Sequence, residues 1–180
     1  DNQFNRTLSK YLLKYDKIIL ITQQSILKKN IIPKSLLNHN NILVYVCKEN
    51  ESCKSFSEVK KITGFLTKHH CNKGSLLLSI GGGTVTDFTG FVASVYMRGI
   101  SHIVIPTTLL GMVDASIGGK TAINFQGIRN IIGTFKNPEA IFIHSPFLNS
   151  LSMDNCINGY AEILKYALIM DKKLFQTIND

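Results

Sequence analysis

Three consecutive glycines, Gly81 to Gly83, follow a short apolar run and open a segment with helical character. Glycine has no Cβ, so backbone N–H groups beside it can approach a pyrophosphate closely, and the amino end of a helix adds partial positive charge. This arrangement favours nucleotide binding. The spacing departs from the G-x-G-x-x-G fingerprint, because Thr86 stands where the third glycine would fall. A glycine-rich turn that binds nothing therefore stays open as an alternative on this pattern alone.

A second glycine-rich segment, residues 106–130, combines Lys120 with Asp114 and Asn130. A connection of this length inside a compact domain is usually functional. Its Gly-Gly-Lys-Thr run at 118–121 ends like a phosphate-binding loop, but Asp114 occupies the position of that motif's first glycine. The pattern therefore argues against an ATPase. It leaves two alternatives for Lys120, a ligand of a substrate phosphate or a surface charge.

Glu162 and Lys165 lie three residues apart in a segment with helical periodicity, so they share one helix face. A solvated ion pair would contribute only ~0.2 to 0.5 kcal/mol. Their neighbours are mainly apolar, so the pair could instead face an interior cleft, where the glutamate could bind a metal and the lysine an anionic substrate. The pattern leaves both alternatives open.

The elements that would position these residues alternate between short β-branched runs and helical patterns, which is typical of a parallel α/β fold. Ligands bind beyond the carboxyl ends of such strands, so we expect the loops at 81–83 and 106–108 to face one crevice. The predicted strands are 17–21, 42–47, 76–80, 103–105 and 140–143, and the predicted helices lie near 24–38, 57–70 and 84–96.

After Pro146 the pattern changes, because residues 151–170 and 171–178 have helical periodicity and no further strand follows. We predict a Rossmann-like α/β domain over residues 1–150 and the start of an α-helical domain over 151–180. With 180 residues, of which 44% are hydrophobic, the chain is able to bury a sizeable core.

The formal net charge of +8 does not identify a partner. The lysines are scattered at helix-surface spacings without an aromatic stacking pattern, so nucleic-acid binding is not expected. Four cysteines without zinc-site spacing indicate reduced thiols, and apolar runs far shorter than the ~20 residues of a membrane span argue against a membrane protein. We expect a cytoplasmic protein.

Five ordered motifs resemble those of 3-dehydroquinate synthase, a family of sugar phosphate cyclases. They are G-G-G-x-x-x-D at 81–87, G-F-V-A-S-x-Y-M-R-G at 90–99, P-T-T-L-L at 106–110, V-D-x-S-x-G-G-K-T-A at 113–122 and N-G-x-A-E-x-L-K at 158–165.

The resemblance implies a lyase of the shikimate pathway, in aromatic amino acid biosynthesis, that cyclises 3-deoxy-D-arabino-heptulosonate 7-phosphate to 3-dehydroquinate. In that family NAD⁺ oxidises the C4 hydroxyl, phosphate leaves by β-elimination, and the hydride returns before the ring closes. A metal ion, zinc or cobalt, polarises the oxidised oxygen.

The resemblance also assigns roles to residues near the reacting groups. Arg98 resembles an arginine that reaches the phosphate bound by a neighbouring subunit, which implies a homodimer. Glu162 is similar to the carboxylate ligand of the metal. The residues that look like substrate contacts are Asp114, Lys120, Asn130 and Lys165, of which Lys120 and Asn130 would hold the phosphate.

Residues of five segments are implied to bind NAD. They are Glu51, Lys54, Gly82, Gly83, Thr84, Val85, Thr86, Asp87, Thr107, Thr108, Leu110, Arg129, Phe147, Leu148, Ser150 and Leu151.

Four residues, at three places in the chain, depart from the family pattern. Gln23 replaces an acid that holds the adenosine ribose, Ser25 replaces a common asparagine, and Ile128-Arg129 replaces Gly-Lys. Gln23 could still hydrogen-bond a ribose hydroxyl, and Arg129 keeps the positive charge. Because the acid that holds the ribose is absent, we still expect a weaker affinity for NAD than in relatives that have it.

The family takes two histidine metal ligands from sequence that follows the matched region. The five histidines of this chain lie in no matching motif; His69-His70 is interpreted as a polar helix end and His102 as a loop residue before a strand. Glu162 alone would bind zinc weakly, so we expect the isolated chain to be incomplete for catalysis. Alternatives that stay open are another sugar phosphate cyclase, a metal-dependent glycerol or alcohol dehydrogenase, an inactive NAD-binding fragment, and one half of a split enzyme.

Overall fold

The computed structural model describes residues 2–179. Seven strands occur in the described range. They are β1 (Ile18–Gln23), β2 (Ile42–Cys47), β3 (Leu76–Gly81), β4 (Ser101–Pro106), β5 (Lys120–Phe125), β6 (Ile128–Phe135) and β7 (Ala140–Ile141). Five of them form a parallel sheet in the order β2-β1-β3-β4-β7, and β5 and β6 form a separate antiparallel hairpin.

The helices lie mainly between the strands of the sheet. They are α1 (Asn2–Leu12), α2 (Gln24–Lys28), α3 (Lys34–Leu37), α4 (Phe56–Lys68), α5 (Gly83–Val95), α6 (Met153–Ile169) and α7 (Lys172–Asn179). Short 3₁₀ turns cover Asn50–Cys53, Tyr96–Arg98 and Ser145–Ser150, and a π turn covers Gly111–Ala115.

The sheet is buried on both faces, and its side chains alternate between two cores. Ile19 of β1 and Leu77 of β3 face α4 and α5, where Phe88 is fully buried. Leu20 and Leu78 face the other side, where α1 covers them. Full burial of such a side chain stabilises the fold by roughly 1.5–3 kcal/mol. The parallel α/β, Rossmann-like fold predicted from the sequence is therefore confirmed.

Several predicted elements differ from the observed ones. The helix expected near 24–38 splits into α2 and α3, because Asn30 has a φ of 52° and Pro33 caps a new helix. The last strand is shorter than predicted. The connection at 106–130, for which the sequence predicted no strand, contains β5 and the start of β6. The helix α1 was not predicted either.

The sequence pattern predicted that His102 lies in a loop before a strand, and this prediction is wrong. His102 lies within β4, which pairs with β3 along its whole length from Ser101 opposite Leu76 to Pro106 opposite Gly81. The side chain of His102 is only 2% exposed. Hydrogen bonding to β3 therefore extends β4 beyond its β-branched centre and buries the histidine.

α6 packs directly against the loop that follows β4. A Cβ added to Gly159 would come within 2.6 Å of the Leu110 backbone nitrogen, so glycine is required for this close approach. No helix within residues 2–179 combines the length and apolar character needed to span a bilayer. The division at residue 150 into two domains stays a prediction.

Candidate functional site

The glycine run forms a tight connection between β3 and α5. Gly82 is the N-cap of α5, and its backbone takes an extended conformation. The Thr107 backbone N–H donates to the Gly81 carbonyl at 2.9 Å, which brings the loop after β4 beside the glycines. A Cβ on Gly82 would lie 3.0 Å from Thr108 Cγ2. The prediction that the two loops face one crevice is confirmed.

A cavity of about 440 Å³ opens in this crevice, and we name it the glycine-loop cavity. Its volume falls in the usual range for small-molecule sites. Of the residues implied by the resemblance to bind NAD, those that line it are Glu51, Lys54, Gly82, Gly83, Thr84, Asp87, Thr107, Thr108, Leu110, Arg129, Ser150 and Leu151.

Four residues implied to bind NAD lie behind the wall of the glycine-loop cavity instead of lining it. Val85 and Phe147 are buried in the two cores. Leu148 packs against the core on the α1 side, and the Thr86 hydroxyl donates to the Gly83 carbonyl at 3.0 Å. These side chains do not line the cavity, because core packing takes up the three apolar ones and the Gly83 carbonyl takes up the Thr86 hydroxyl.

The departure at Gln23 has a structural consequence. Gln23 ends β1, beside the glycine strand β3, and its Nε2 donates to the carbonyls of Lys48 at 2.8 Å and Asn50 at 3.3 Å. Ser25 is held by Glu49, whose carboxylate accepts from the Ser25 backbone N–H and hydroxyl. The amide of Gln23 thus fixes the loop after β2, and Gln23 is one of the residues that line the glycine-loop cavity.

A second cavity of about 410 Å³, which we name the hairpin cavity, lies against β5 and β6. Asp114, Lys120 and Asn130 line it, as do the hairpin residues Gly133 and Thr134. The structure thus brings together three of the residues predicted to contact the substrate. Asp87, Ala115 and Asn130 line both cavities and form the divide between them.

Lys120 is placed by the two glycines that precede it. Gly118 and Gly119 have φ values of 90° and 69°, in the left-handed region that favours glycine. A Cβ on Gly119 would also lie 3.0 Å from the Asn137 backbone nitrogen. Lys120 begins β5 with an exposed side chain, so its ammonium is available at the mouth of the hairpin cavity.

Lys54 is the buried cation at the divide. Its side chain is 3% exposed, and Nζ lies 2.6 Å from Asp87 Oδ2 and also donates to Asn130 Oδ1. Burial raises the pKa of Asp87, and the hydrogen bond and charge of Lys54 offset that rise only in part. The charges of Lys54 and Asp87 compensate each other, which a buried pair requires.

Glu51 joins three elements around the same point. Its carboxylate accepts from Thr84 Oγ1 at 3.1 Å and from Asn124 Nδ2 at 2.8 Å, and it lies 3.0 Å from the exposed Arg129 guanidinium. Burial acts to raise the pKa of Glu51, but these hydrogen bonds and the charge of Lys54 outweigh it, so the pKa is lowered. Asn124 was missed by sequence reasoning; a polar residue within the Thr-Ala-Ile-Asn-Phe strand pattern was the available signal.

Glu162 and Lys165 line neither cavity. They form an ion pair on α6 in which Lys165 is exposed, whereas Glu162 is half-buried and its Oε2 is enclosed, so the pair is only partly solvated. The adjacent Tyr166, which was also missed, donates its hydroxyl to Asp114 Oδ1 and so ties α6 to the hairpin cavity. The hydrogen bond to Asp114 raises the pKa of Tyr166.

The described residues do not assemble a metal centre. Within residues 2–179 no three histidine, cysteine, aspartate or glutamate side chains cluster as metal ligands. The one carboxylate implied to bind zinc, Glu162, is paired with Lys165. Since a zinc site needs at least three protein ligands, the residues present do not fit a complete zinc or cobalt site.

Arg98 lies apart from both cavities. It is exposed in the 3₁₀ turn after α5, where Met97 and Arg98 have φ values of 49° and 62°. These left-handed values direct the chain away from the helix axis. A contact of Arg98 with a neighbouring subunit stays a prediction.

A comparison with protein families decides the relationship. The model for the 3-dehydroquinate synthase N-terminal region matches residues 44–158, which include both glycine-rich segments. The chain belongs to the 3-dehydroquinate synthase family.

Curated relatives support this membership. The 3-dehydroquinate synthase of Dictyoglomus turgidum is 44% identical over 178 residues, which are 97% of this chain and 48% of that protein. The synthase of Clostridium tetani is 38% identical over 170 residues, covering 94% of this chain and 44% of that protein. The chain thus spans less than half the length of these relatives.

Solved structures share the fold. The 2-epi-5-epi-valiolone synthase of Streptomyces hygroscopicus, solved with NAD⁺ and Zn²⁺ bound, is 33% identical with a TM-score of 0.78, over 91% of this chain and 46% of that one. A glycerol dehydrogenase of Schizosaccharomyces pombe is 21% identical with a TM-score of 0.68, covering 92% of this chain and 41% of that one. At that identity the likeness concerns the fold alone.

Proposed function

We propose that the chain forms the NAD-binding and phosphate-binding part of a 3-dehydroquinate synthase, the enzyme that cyclises 3-deoxy-D-arabino-heptulosonate 7-phosphate with loss of phosphate. One observation carries this proposal. The glycine-loop cavity and the hairpin cavity adjoin and share Asp87, Ala115 and Asn130. A redox cofactor and a phosphorylated substrate placed in them would meet at that divide.

NAD fits the glycine-loop cavity on the evidence of its walls. Gly82 has no Cβ, which would lie 3.0 Å from Thr108 Cγ2, so its backbone can come close to a pyrophosphate. The Thr107 hydroxyl, which is buried and has no hydrogen-bond partner among the described residues, provides a polar group for a ligand. NAD⁺, when bound, supplies the hydride acceptor and donor. The relative solved with NAD⁺ and Zn²⁺ supports the same cofactor for this chain.

The hairpin cavity fits a phosphorylated substrate. Lys120 brings an ammonium to its mouth, and Asn130, whose Oδ1 accepts from Lys54, keeps its Nδ2 as a donor. Both groups suit a phosphate, and they would stabilise the charge that collects on phosphate as it leaves. Asp114, held by Tyr166, is placed to accept from substrate hydroxyl groups.

Lys120 and Asn130 favour a cyclase of sugar phosphates over a glycerol or alcohol dehydrogenase, whose substrates carry no phosphate. The 33% identity to a valiolone synthase keeps another sugar phosphate cyclase as the second candidate. The metal lies outside the proposal for this chain, because the described residues do not form its site. A homodimer and a cytoplasmic location belong to the proposal through the family relationship.

Binding measurements test the proposal. We expect NAD⁺ to bind the chain in isothermal titration calorimetry, and inorganic phosphate to bind at least about tenfold more weakly to Lys120→Met than to the unchanged chain. Lys73→Met is the matched control, because Lys73 bonds to the Gly99 carbonyl away from both cavities. Absence of NAD⁺ binding, or equal phosphate affinity in Lys120→Met, would refute the proposal.

Activity distinguishes the remaining alternatives. Phosphate release from the heptulosonate phosphate would be assayed with NAD⁺ and Zn²⁺, with this chain alone and with a polypeptide that corresponds to the carboxyl-terminal half of the Dictyoglomus turgidum relative. We expect release only in the mixture. Release by the chain alone would contradict the assignment of a partial site, and a lack of release in the mixture would favour an NAD-binding protein without this activity.

A further inference from the structure

Asn124 of β5 fastens the hairpin to the loop that lines the glycine-loop cavity. Its Nδ2 donates to Glu51 Oε2 at 2.8 Å, and its Oδ1 accepts from the Asn130 backbone N–H at 2.9 Å. The Asn124 backbone N–H also donates to the Lys54 carbonyl at 2.8 Å. One residue therefore contacts Glu51 and Lys54, which line the glycine-loop cavity, and Asn130, which lines both cavities.

The strand is irregular at this point, which frees the side chain for these contacts. Ile123 pairs with Ile132 and Phe125 with Ile128, so the register shifts across Asn124. Such a bulge redirects a side chain out of the ladder. The backbone at Asn130, with a φ of 57°, is left-handed, and its N–H is directed to Asn124.

Asn130 is thereby held at two points, by Asn124 of the hairpin and by Lys54 of the glycine-loop cavity. Its backbone is fixed by Asn124, which is tied to Glu51, and its Oδ1 accepts from Lys54. Since the oxygen of the amide is engaged, the nitrogen is the part left to meet a ligand, and it can only donate. A donor at this place suits an anion in the hairpin cavity.

We propose that Asn124 is a positioning residue that couples the two cavities. A nucleotide that orders Glu51 and Lys54 also orders Asn130 through Asn124, and so raises the affinity of the hairpin cavity for a phosphate group. By linkage, phosphate raises the affinity for the nucleotide by the same factor. The inference rests on the proposed function, since it takes the nucleotide to be NAD⁺ and the anion to be a phosphate.

The coupling is measured by titrating the chain with inorganic phosphate, with and without saturating NAD⁺, in a calorimeter. We expect NAD⁺ to lower the Kd for phosphate about fivefold, at the lower end of ordinary coupling. In Asn124→Ala this ratio falls to within about twofold of one. Asn38→Ala, an exposed surface change, keeps the ratio of the unchanged chain.

A second variant separates coupling from local support. Asn124→Asp keeps the Oδ1 acceptor for the Asn130 N–H but places a carboxylate against Glu51, so it removes the tie while the turn stays supported. We expect the ratio of the Kd values for phosphate without and with NAD⁺ to fall close to one in Asn124→Asp, as it does in Asn124→Ala. If circular dichroism shows that Asn124→Ala does not fold, Asn124→Asp is the variant that tests the coupling.

Two results would overturn the inference. A ratio near one in the unchanged chain shows that the cavities are not coupled, and an equal ratio in the unchanged chain and both Asn124 variants shows that Asn124 does not couple them. In either case NAD⁺ and phosphate still bind, and the proposed function stands. If the unchanged chain binds neither ligand, the proposed function fails together with the inference.

Discussion

His102 makes the stability of the protein depend on pH. The side chain is 2% exposed, and its Nδ1 is buried without a hydrogen-bond partner among the described residues. Burial, together with the charge of Lys136, lowers the pKa of His102 to about 4, whereas the unfolded chain keeps the usual value near 6.5. Between these values the unfolded state binds one more proton than the folded state, so stability falls as the pH falls.

The magnitude follows from the two pKa values. Each unit of difference corresponds to ~1.36 kcal/mol, and between pH 7 and pH 4.5 the linkage lowers the free energy of unfolding by about 2 kcal/mol. The stabilisation that comes from keeping His102 neutral is fully present above pH 6.5. It decreases through the range between the two pKa values and levels off below pH 4. For a domain of ordinary stability this is a large fraction of the total.

Urea denaturation at a series of pH values measures this effect. Carboxylates also titrate in this range, so the relevant quantity is the difference in pH dependence between the unchanged chain and His102→Leu. We expect the drop from pH 7 to pH 4.5 to be about 2 kcal/mol smaller in His102→Leu. His39→Leu, at an exposed position, should keep the drop of the unchanged chain. Equal drops in the unchanged chain and His102→Leu would refute the reasoning.

Three further predictions concern the cavities. Gly82→Ala should weaken NAD⁺ binding at least about tenfold in calorimetry, because its Cβ meets Thr108, whereas Gly64→Ala, which meets nothing within 4 Å, should not; equal losses would contradict this. Gln23→Glu should lower the free energy of unfolding in urea by ~1–3 kcal/mol, because its carboxylate would face two carbonyls; unchanged or higher stability would show that these contacts are unimportant. Tyr166→Phe should weaken binding of the heptulosonate phosphate about two- to tenfold, because Asp114, which is placed to accept from substrate hydroxyl groups, loses its support, and Tyr160→Phe on the same helix should not; matching affinities would argue against that role.

The sequence predicted the parts of the site that short-range chemistry specifies. A buried parallel strand is a β-branched run, and a glycine run after such a strand marks a loop where backbone must come close to another group. These signals located β1 to β4 and the crevice at Gly81–Gly83. The ordered motifs identified the family, because each of them is local in the chain.

The hairpin of β5 and β6 was not predicted from the sequence, because its residues carry only a weak strand pattern. β6 is largely exposed, so it lacks the alternation of apolar and polar residues that predicts a half-buried strand. Its position depends on pairing with β5 and on the glycine turn at 118–119, and Lys120 and Asn130 reach one cavity only through that pairing. The family resemblance assigned both residues to one phosphate, but the residue pattern alone did not predict their common location.

The sequence by itself determined the fold class, the family and the residue types available for a nucleotide and a phosphate. Only the tertiary structure decided that Lys54 is buried between Asp87 and Asn130, that Asn124 bonds to both Glu51 and Asn130, and that His102 is enclosed in the sheet. The physical reason is that each of these depends on hydrogen bonds or burial between residues distant in the chain. Such contacts leave no periodic signal in the sequence, because a single polar side chain has the same letter whether it faces solvent or a buried partner.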